Sequence, residues 1–165
     1  GAQLLRDSGL PGMKVLEFAF DGNTANEYLP HNHAKNYVAY IGTHDNDMLK
    51  SYISGQSEEL QEYMMKYLMA NSLDDVAEKM IHALYMSSAD TVILQMQDML
   101  GKDNSARMNY PSTLGGNWKW RLTKGATWEF TQEHIDKLRD LTRLYGRNRV
   151  KTYICKEEAK KRQQT

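Results

Sequence analysis

The chain has 165 residues, of which 41% are hydrophobic and 25% charged. That is one domain by length, too apolar to be disordered and large enough to bury about 70% of its unfolded surface. Its 21 basic and 21 acidic side chains cancel, which excludes a generally basic nucleic-acid-binding chain; no apolar run is long enough for a membrane span, and with no basic region, apolar stretch and cleavage site opening the chain, secretion is not expected.

The opening residues Gly1-Ala2-Gln3-Leu4-Leu5-Arg6-Asp7 read as the end of a helix already under way, broken by Ser8-Gly9-Leu10-Pro11-Gly12. A start inside a helical pattern leads to the expectation of a piece cut from a longer protein. Residues 13–20 form a mostly apolar run that predicts a first strand. A long polar loop is expected over 21–36, where Pro30, His31 and His33 lie. A second strand is predicted over 37–41, ending at Gly42, and a third over 91–96. Near-continuous apolar strands suit a parallel sheet covered on both faces.

Helices are predicted between the second and third strands. Leu60, Tyr63, Met64, Tyr67 and Leu68 recur at helical spacing behind Ser57, an expected N-cap with Glu58 and Glu59 in the first turn. Val76, Ala77, Met80, Ile81 and Leu84 make a second stripe, expected to open at Ser72 with Asp75 three residues on. Ile135, Leu138, Leu141 and Tyr145 make a third, behind Thr131. The ten methionines fall mostly on such stripes and are expected to fill the core. From Arg139 onward nine Lys/Arg face three Asp/Glu; this basic end is expected to be a solvated helical tail. Cys155 is the lone cysteine, so no internal disulfide forms and a reducing, cytoplasmic setting is expected.

Strands alternating with helices predict a parallel α/β fold, whose active sites gather where strands end. The second strand empties into Gly42-Thr43-His44-Asp45-Asn46-Asp47. Three readings of this segment compete. Asp45 or Asp47 could cap a helix starting near Met48. His44 and Asp45 could join His31 and His33 around a divalent metal, although nothing in the spacing makes them converge. Or carboxylate and imidazole could hold sugar hydroxyls around an oxocarbenium-like transition state. Arg107-Met108-Asn109 and Gly116-Asn117-Trp118-Lys119-Trp120-Arg121 mix aromatic faces, amides and cations, which suits polyols. Trp118 and Trp120 could equally pack as core or cover residues.

Colinear motifs then decide among these readings. Gly9-Leu10-Pro11-Gly12-Met13-Lys14-Val15-Leu16-Glu17-Phe18-Ala19-Phe20, Tyr28-Leu29-Pro30-His31-Asn32 and the 42–47 segment, followed by the two motifs just quoted, resemble the amylomaltase or disproportionating-enzyme family, the 4-α-glucanotransferases of glycoside hydrolase family 77. The resemblance runs from about Leu4 to Leu144. It implies the C-terminal part of a (β/α)8 TIM barrel, with about three parallel strands and flanking helices over 1–145; past Tyr145 the family gives no guide, and 146–165 is read from its composition as a basic tail.

The activity it implies is retaining transfer of α-1,4-glucan segments between maltodextrins, with the nucleophile and acid/base on strands upstream of this chain. Asp45 resembles the transition-state stabiliser and His44 its substrate-binding neighbour. Asn46 and Phe18 match positions lining the substrate cleft. Glu17 is not the acid/base, and stands where a Gln is commoner; Met48 stands where a Thr is commoner. Expected partners are α-1,4-glucans and maltooligosaccharides, with no nucleic acid, membrane, metal or cofactor. The isolated chain is expected to self-associate. The alternative is a noncatalytic carbohydrate-binding or scaffold fragment.

Overall fold

The computed structural model describes residues 2–122 and 130–148. An opening helix, α1 (Ala2–Ser8), stops at Gly9, whose φ of +67° no ordinary side chain adopts easily. Three short strands follow: β1 (Gly12–Val15), β2 (Tyr37–Tyr40) and β3 (Thr91–Ile93). All pair in parallel in the order β1-β2-β3, with Met13 opposite Val38 and Val38 opposite Thr91. The α/β character and the parallel three-stranded sheet expected from the sequence are therefore present.

Two strands are shorter than expected. After β1 the chain turns into a 3-10 segment, Leu16–Phe18, in which the Ala19 N–H donates to the Leu16 carbonyl at 3.0 Å. The apolar run continues because Leu16, Ala19 and Phe20 are buried below the turn; burial makes a run apolar without making it extended. Similarly, β3 ends at Ile93, and Gln95 and Met96 begin a short helix, α5 (Met96–Met99).

Between β2 and β3 lie α2 (Leu49–Ser54), α3 (Glu58–Leu68) and α4 (Val76–Met86). Ser57 caps α3 as expected, accepting from the Leu60 N–H at 3.3 Å. The expected start of α4 at Ser72 is corrected: the helix opens at Val76, because the Asp75 carboxylate turns back to accept from the Asn71 N–H at 3.0 Å. The last helix, α6 (Gln132–Leu144), holds no buried residue, so its apolar stripe only half-covers the surface. Tyr145 just beyond it hydrogen-bonds His82 of α4 at 3.0 Å. The expected tail begins with a docked residue: the Arg147 guanidinium donates to the carbonyls of Leu84, Tyr85, Ser87 and Ala89 at the end of α4. The lysine-rich stretch and Cys155 lie outside the described residues.

Cross-strand partners share a face, which separates two environments. Ala39 and Val92 belong to the core built with Leu49, Ile53, Met80 and Leu84. On that same face the Lys14 side chain is buried, its ammonium 4.6 Å from the Tyr37 ring centroid and paired with Glu27. On the opposite face Met13 and Ile93 are 57% and 44% exposed. Coverage on both faces is thus not met among the described residues. Nor are all methionines core: Met48, Met64 and Met80 are fully buried, whereas Met13, Met69 and Met86 are exposed.

Candidate functional site

The bare face of the sheet leads directly to a cavity of about 740 Å³. Met13, Tyr40 and Ile93 form its sheet wall; Gly42, Thr43, His44 and Asp45 its rim; Gln95, Trp120 and Arg121 the far side. It lies at the carboxyl ends of the strands, where parallel α/β sheets place ligands. His44 and Asp45, singled out by the sequence, both line it.

The loop 42–47 is shaped from inside and held from outside. Asn46 Oδ1 accepts from the Thr43 backbone N–H at 2.9 Å and from its hydroxyl at 2.7 Å, closing the loop on itself. Gln95 Nε2 donates to the Gly42 carbonyl at 2.6 Å. Asp45 remains half exposed in the cavity. Its Oδ1 accepts from Asn109 Nδ2 at 2.6 Å and lies 3.4 Å from His44 Nε2. Asn109 is itself fixed, its N–H donating to the His44 carbonyl at 3.1 Å. Trp118 leaves the core entirely: its ring stacks at a tilt on His44, centroids 4.9 Å apart. The core reading of Trp118 is thereby corrected, while Trp120 contributes to the cavity wall.

Asp47, two residues from Asp45, is spent on structure. It pairs with Arg107 and accepts from Asn104 Nδ2 at 3.0 Å. Arg107 also donates to the Asp45 carbonyl and, through Nε, to the Asn109 carbonyl at 2.9 Å, and its guanidinium lies 4.6 Å from the Tyr110 ring centroid. One cation therefore ties the loop 42–47 to the segment that carries Asn109.

These contacts correct the helix-cap reading of Asp45 and Asp47. The first free N–H groups of α2 are taken by residues from beyond β3: Met48 N–H donates to Asn104 Oδ1 and Leu49 N–H to Asp98 Oδ1, both at 2.8 Å. The metal reading also finds no support in the placement of its histidines. His31 Nδ1 meets the Tyr67 hydroxyl at 2.8 Å and His33 Nε2 the Tyr28 carbonyl at 2.8 Å. Among the described residues no three His, Cys, Asp or Glu groups gather as a metal site. Phe18 and Asn46 do not line the cavity. Phe18 is half exposed, edge-on to Tyr28.

Two carboxyls beneath the loop are abnormal. Glu17 is 7% exposed and its Oε1 has no hydrogen-bond partner. Burial, then the negative charges of Asp98 and Asp47, push its pKa up to about 9 against the opposing pull of Arg107. Burial raises Asp98 to about 6, with the Leu49 N–H resisting. Sequence reasoning missed Asp98 and Asn104 altogether, because their partners lie some 50 residues away. Arg107 and Asn109 were noted for their chemistry, but nothing in their spacing said that they position Asp45.

Comparison with known proteins gives a consistent result. Residues 2–127 match the glycoside hydrolase family 77 model, described as 4-alpha-glucanotransferase. The chain is 45% identical over 145 residues to the chloroplastic/amyloplastic 4-alpha-glucanotransferase DPE1 of Arabidopsis thaliana, covering 88% of this chain and 25% of that protein. It is 44% identical over 142 residues to the 4-alpha-glucanotransferase of Clostridium butyricum, covering 85% and 28% respectively. Among solved structures, an amylomaltase from Streptococcus agalactiae in complex with acarbose superposes with a TM-score of 0.81 at 35% identity, over 88% of this chain and 29% of that one. The chain thus spans about a quarter of the length of the relatives it matches.

Proposed function

Because the chain belongs to the 4-alpha-glucanotransferase family, we propose that it carries the transition-state-stabilising part of a retaining enzyme that transfers α-1,4-glucan segments between maltodextrins. The observation that carries this reading is the Asp45 carboxylate: half exposed at the cavity rim, oriented by Asn109 at 2.6 Å and flanked by His44.

Retention needs a nucleophilic carboxylate and an acid/base carboxyl about 5–5.5 Å apart across the scissile bond. Following what the family resemblance implies, we assign both catalytic roles to strands upstream of this chain; Asp47, held by Arg107 and Asn104, and the buried Glu17 are not free for either role. The three strands are then the last of a (β/α)8 barrel, and the bare Met13–Ile93 face is its interior wall. Asp45 supplies fixed negative charge as the donor sugar becomes oxocarbenium-like, and accepts hydrogen bonds from its hydroxyls. His44 adds a second polar contact, held by the Trp118 ring. Trp120 offers an apolar face to a sugar ring, and Arg121 a cation to its hydroxyls. The substrates of this reading are α-1,4-glucans and maltooligosaccharides. The compartment is not carried by the family, since a plant relative is named as plastidic.

The test is Asp45→Asn in a full-length family enzyme carrying this segment. Asn keeps the size and one acceptor oxygen but removes the charge, so turnover should fall at least about 10²-fold while KM moves little. His44→Ala should cost less. Near-normal turnover of the Asp45→Asn enzyme on maltotriose would end the assignment.

A further inference from the structure

The segment 108–118 carries a backbone feature that the proposed chemistry leaves unexplained. The chain turns left-handed at Ser112, Gly115, Gly116 and Trp118, with φ of +63°, +77°, +77° and +62°. Glycine adopts such angles freely, whereas a bulky aromatic residue does so only against steric resistance. Strain of this kind persists only where neighbouring contacts over-determine the backbone.

Those contacts lie on both sides of Trp118. Its N–H donates to the Met108 carbonyl at 2.6 Å, and its carbonyl accepts from Arg121 Nη1 at 2.8 Å. The preceding Asn117 closes the turn: its Oδ1 accepts from the Tyr110 N–H at 3.0 Å, and its Nδ2 donates to the Thr113 hydroxyl at 3.0 Å. Near Met108 the segment is tied to the loop 42–47, where the Asn109 N–H donates to the His44 carbonyl at 3.1 Å.

What the turn achieves is the placement of one ring. The indole is half exposed, so the strain does not serve to bury it. It lies against the His44 imidazole, centroids 4.9 Å apart and planes inclined by 41°. The imidazole has Asp45 as its polar neighbour, with 3.4 Å from Nε2 to Oδ1, too long to fix a ring by hydrogen bonding alone.

We propose that Trp118 is a positioning residue for His44, and that the left-handed backbone at 118, held by Asn117 and the Met108 carbonyl, is what aims it. The indole limits the imidazole to the orientation in which it flanks the Asp45 carboxylate. This rests on His44 and Asp45 binding the donor sugar, as proposed above.

The test is a double-mutant cycle between positions 118 and 44, in a full-length family enzyme carrying this segment, with maltotriose as substrate. Trp118→Gly removes the ring and gives the turn a residue at ease there, so kcat should fall about tenfold while KM stays within about twofold. Trp118→Asn, also ringless and tolerant of a left-handed backbone, should lose the same. Trp118→Phe keeps an aromatic face over His44 and should recover to within about threefold of the unmodified enzyme. In a His44→Ala enzyme, Trp118→Gly should cost less than about twofold more, because its effect passes through the missing imidazole. A tenfold loss repeated in the His44→Ala background overturns the inference. So do normal turnover of the Trp118→Gly enzyme, a Phe variant as impaired as the Gly one, and failure of both ringless variants to fold at the assay temperature. His44→Ala measured alone keeps the two proposals apart: near-normal turnover removes the sugar-binding role of His44 and this inference with it, whereas an impaired His44→Ala enzyme beside an additive Trp118→Gly loss overturns this inference alone.

Discussion

Asp45 and Asp47 are the same residue type two positions apart, and their surroundings give them opposite work. Asp47 has Arg107 and Asn104, which commit its charge to the loop. Asp45 has one amide and an imidazole neighbour, which orient it and leave oxygen facing the cavity. Glu17 is a third case, in which burial decides the protonation state. Unfolded, its carboxyl ionises near the ordinary value of 4.5; folded, it holds its proton to about 9. The stability it contributes is therefore complete below about pH 4.5 and is lost as pH rises toward 9, at a limit of about 1.4 kcal/mol per pH unit. Glu17→Gln should consequently gain in Tm over the unmodified protein progressively from pH 5 to pH 9. Thermal unfolding followed by circular dichroism at pH 4, 7 and 9 checks this; an offset that does not change with pH contradicts it.

At the scale of elements, helix ends are served by residues remote in sequence. The start of α2 is capped by Asp98 and Asn104, which ties α2 to α5 and holds the loop 42–47 between them. The end of α4 is capped by Arg147, whose fork donates to four carbonyls there, of which that of Leu84 also accepts from the Ser87 N–H and hydroxyl. Arg147→Ala should lower stability by about 1–3 kcal/mol in denaturant unfolding, the cost of leaving part-buried acceptors unpaired. Arg147→Lys should not restore it, because an ammonium has three donors on a point and cannot span the set. Full rescue by Lys would reduce the contact to simple charge at a helix terminus. The α6 stripe shows the converse: its 3.6-residue period correctly marks a helix, but periodicity does not say how deeply the apolar side is covered.

For the whole molecule, the sheet ends at β1 and β3 with neither edge paired among the described residues, and Met13 and Ile93 stand exposed on one face. Parallel sheets are stable when both faces are covered, and open edges invite pairing with other chains. The isolated 165-residue chain should therefore self-associate in light scattering. With the nucleophile and acid/base assigned to other strands, as proposed above, it should also release no glucose from maltotriose. A monodisperse, active monomer would contradict both expectations and the assignment of those carboxyls to other strands. An inactive chain that still binds maltooligosaccharides would match the binding-fragment alternative for the chain on its own.

Local regularities were legible in the sequence because they depend on neighbours along the chain. The strand at 37–41, the helix behind Ser57 and the polar outlet after Ile41 follow from β-branched content, from apolar spacing and from a capping hydroxyl. His44-Asp45 stood out because polar residues crowd one strand end, and colinear motifs supplied the chemistry. Other features were decided only by tertiary structure. The turn at Leu16–Phe18, the burial of Glu17, the caps from Asp98 and Asn104, and the Arg107 clamp all depend on groups brought together across many residues. Whether a carboxylate is a cap, a clamp, a neutral filler or an open charge is set by dielectric and donors within a few ångströms. Those surroundings exist only once the chain has folded.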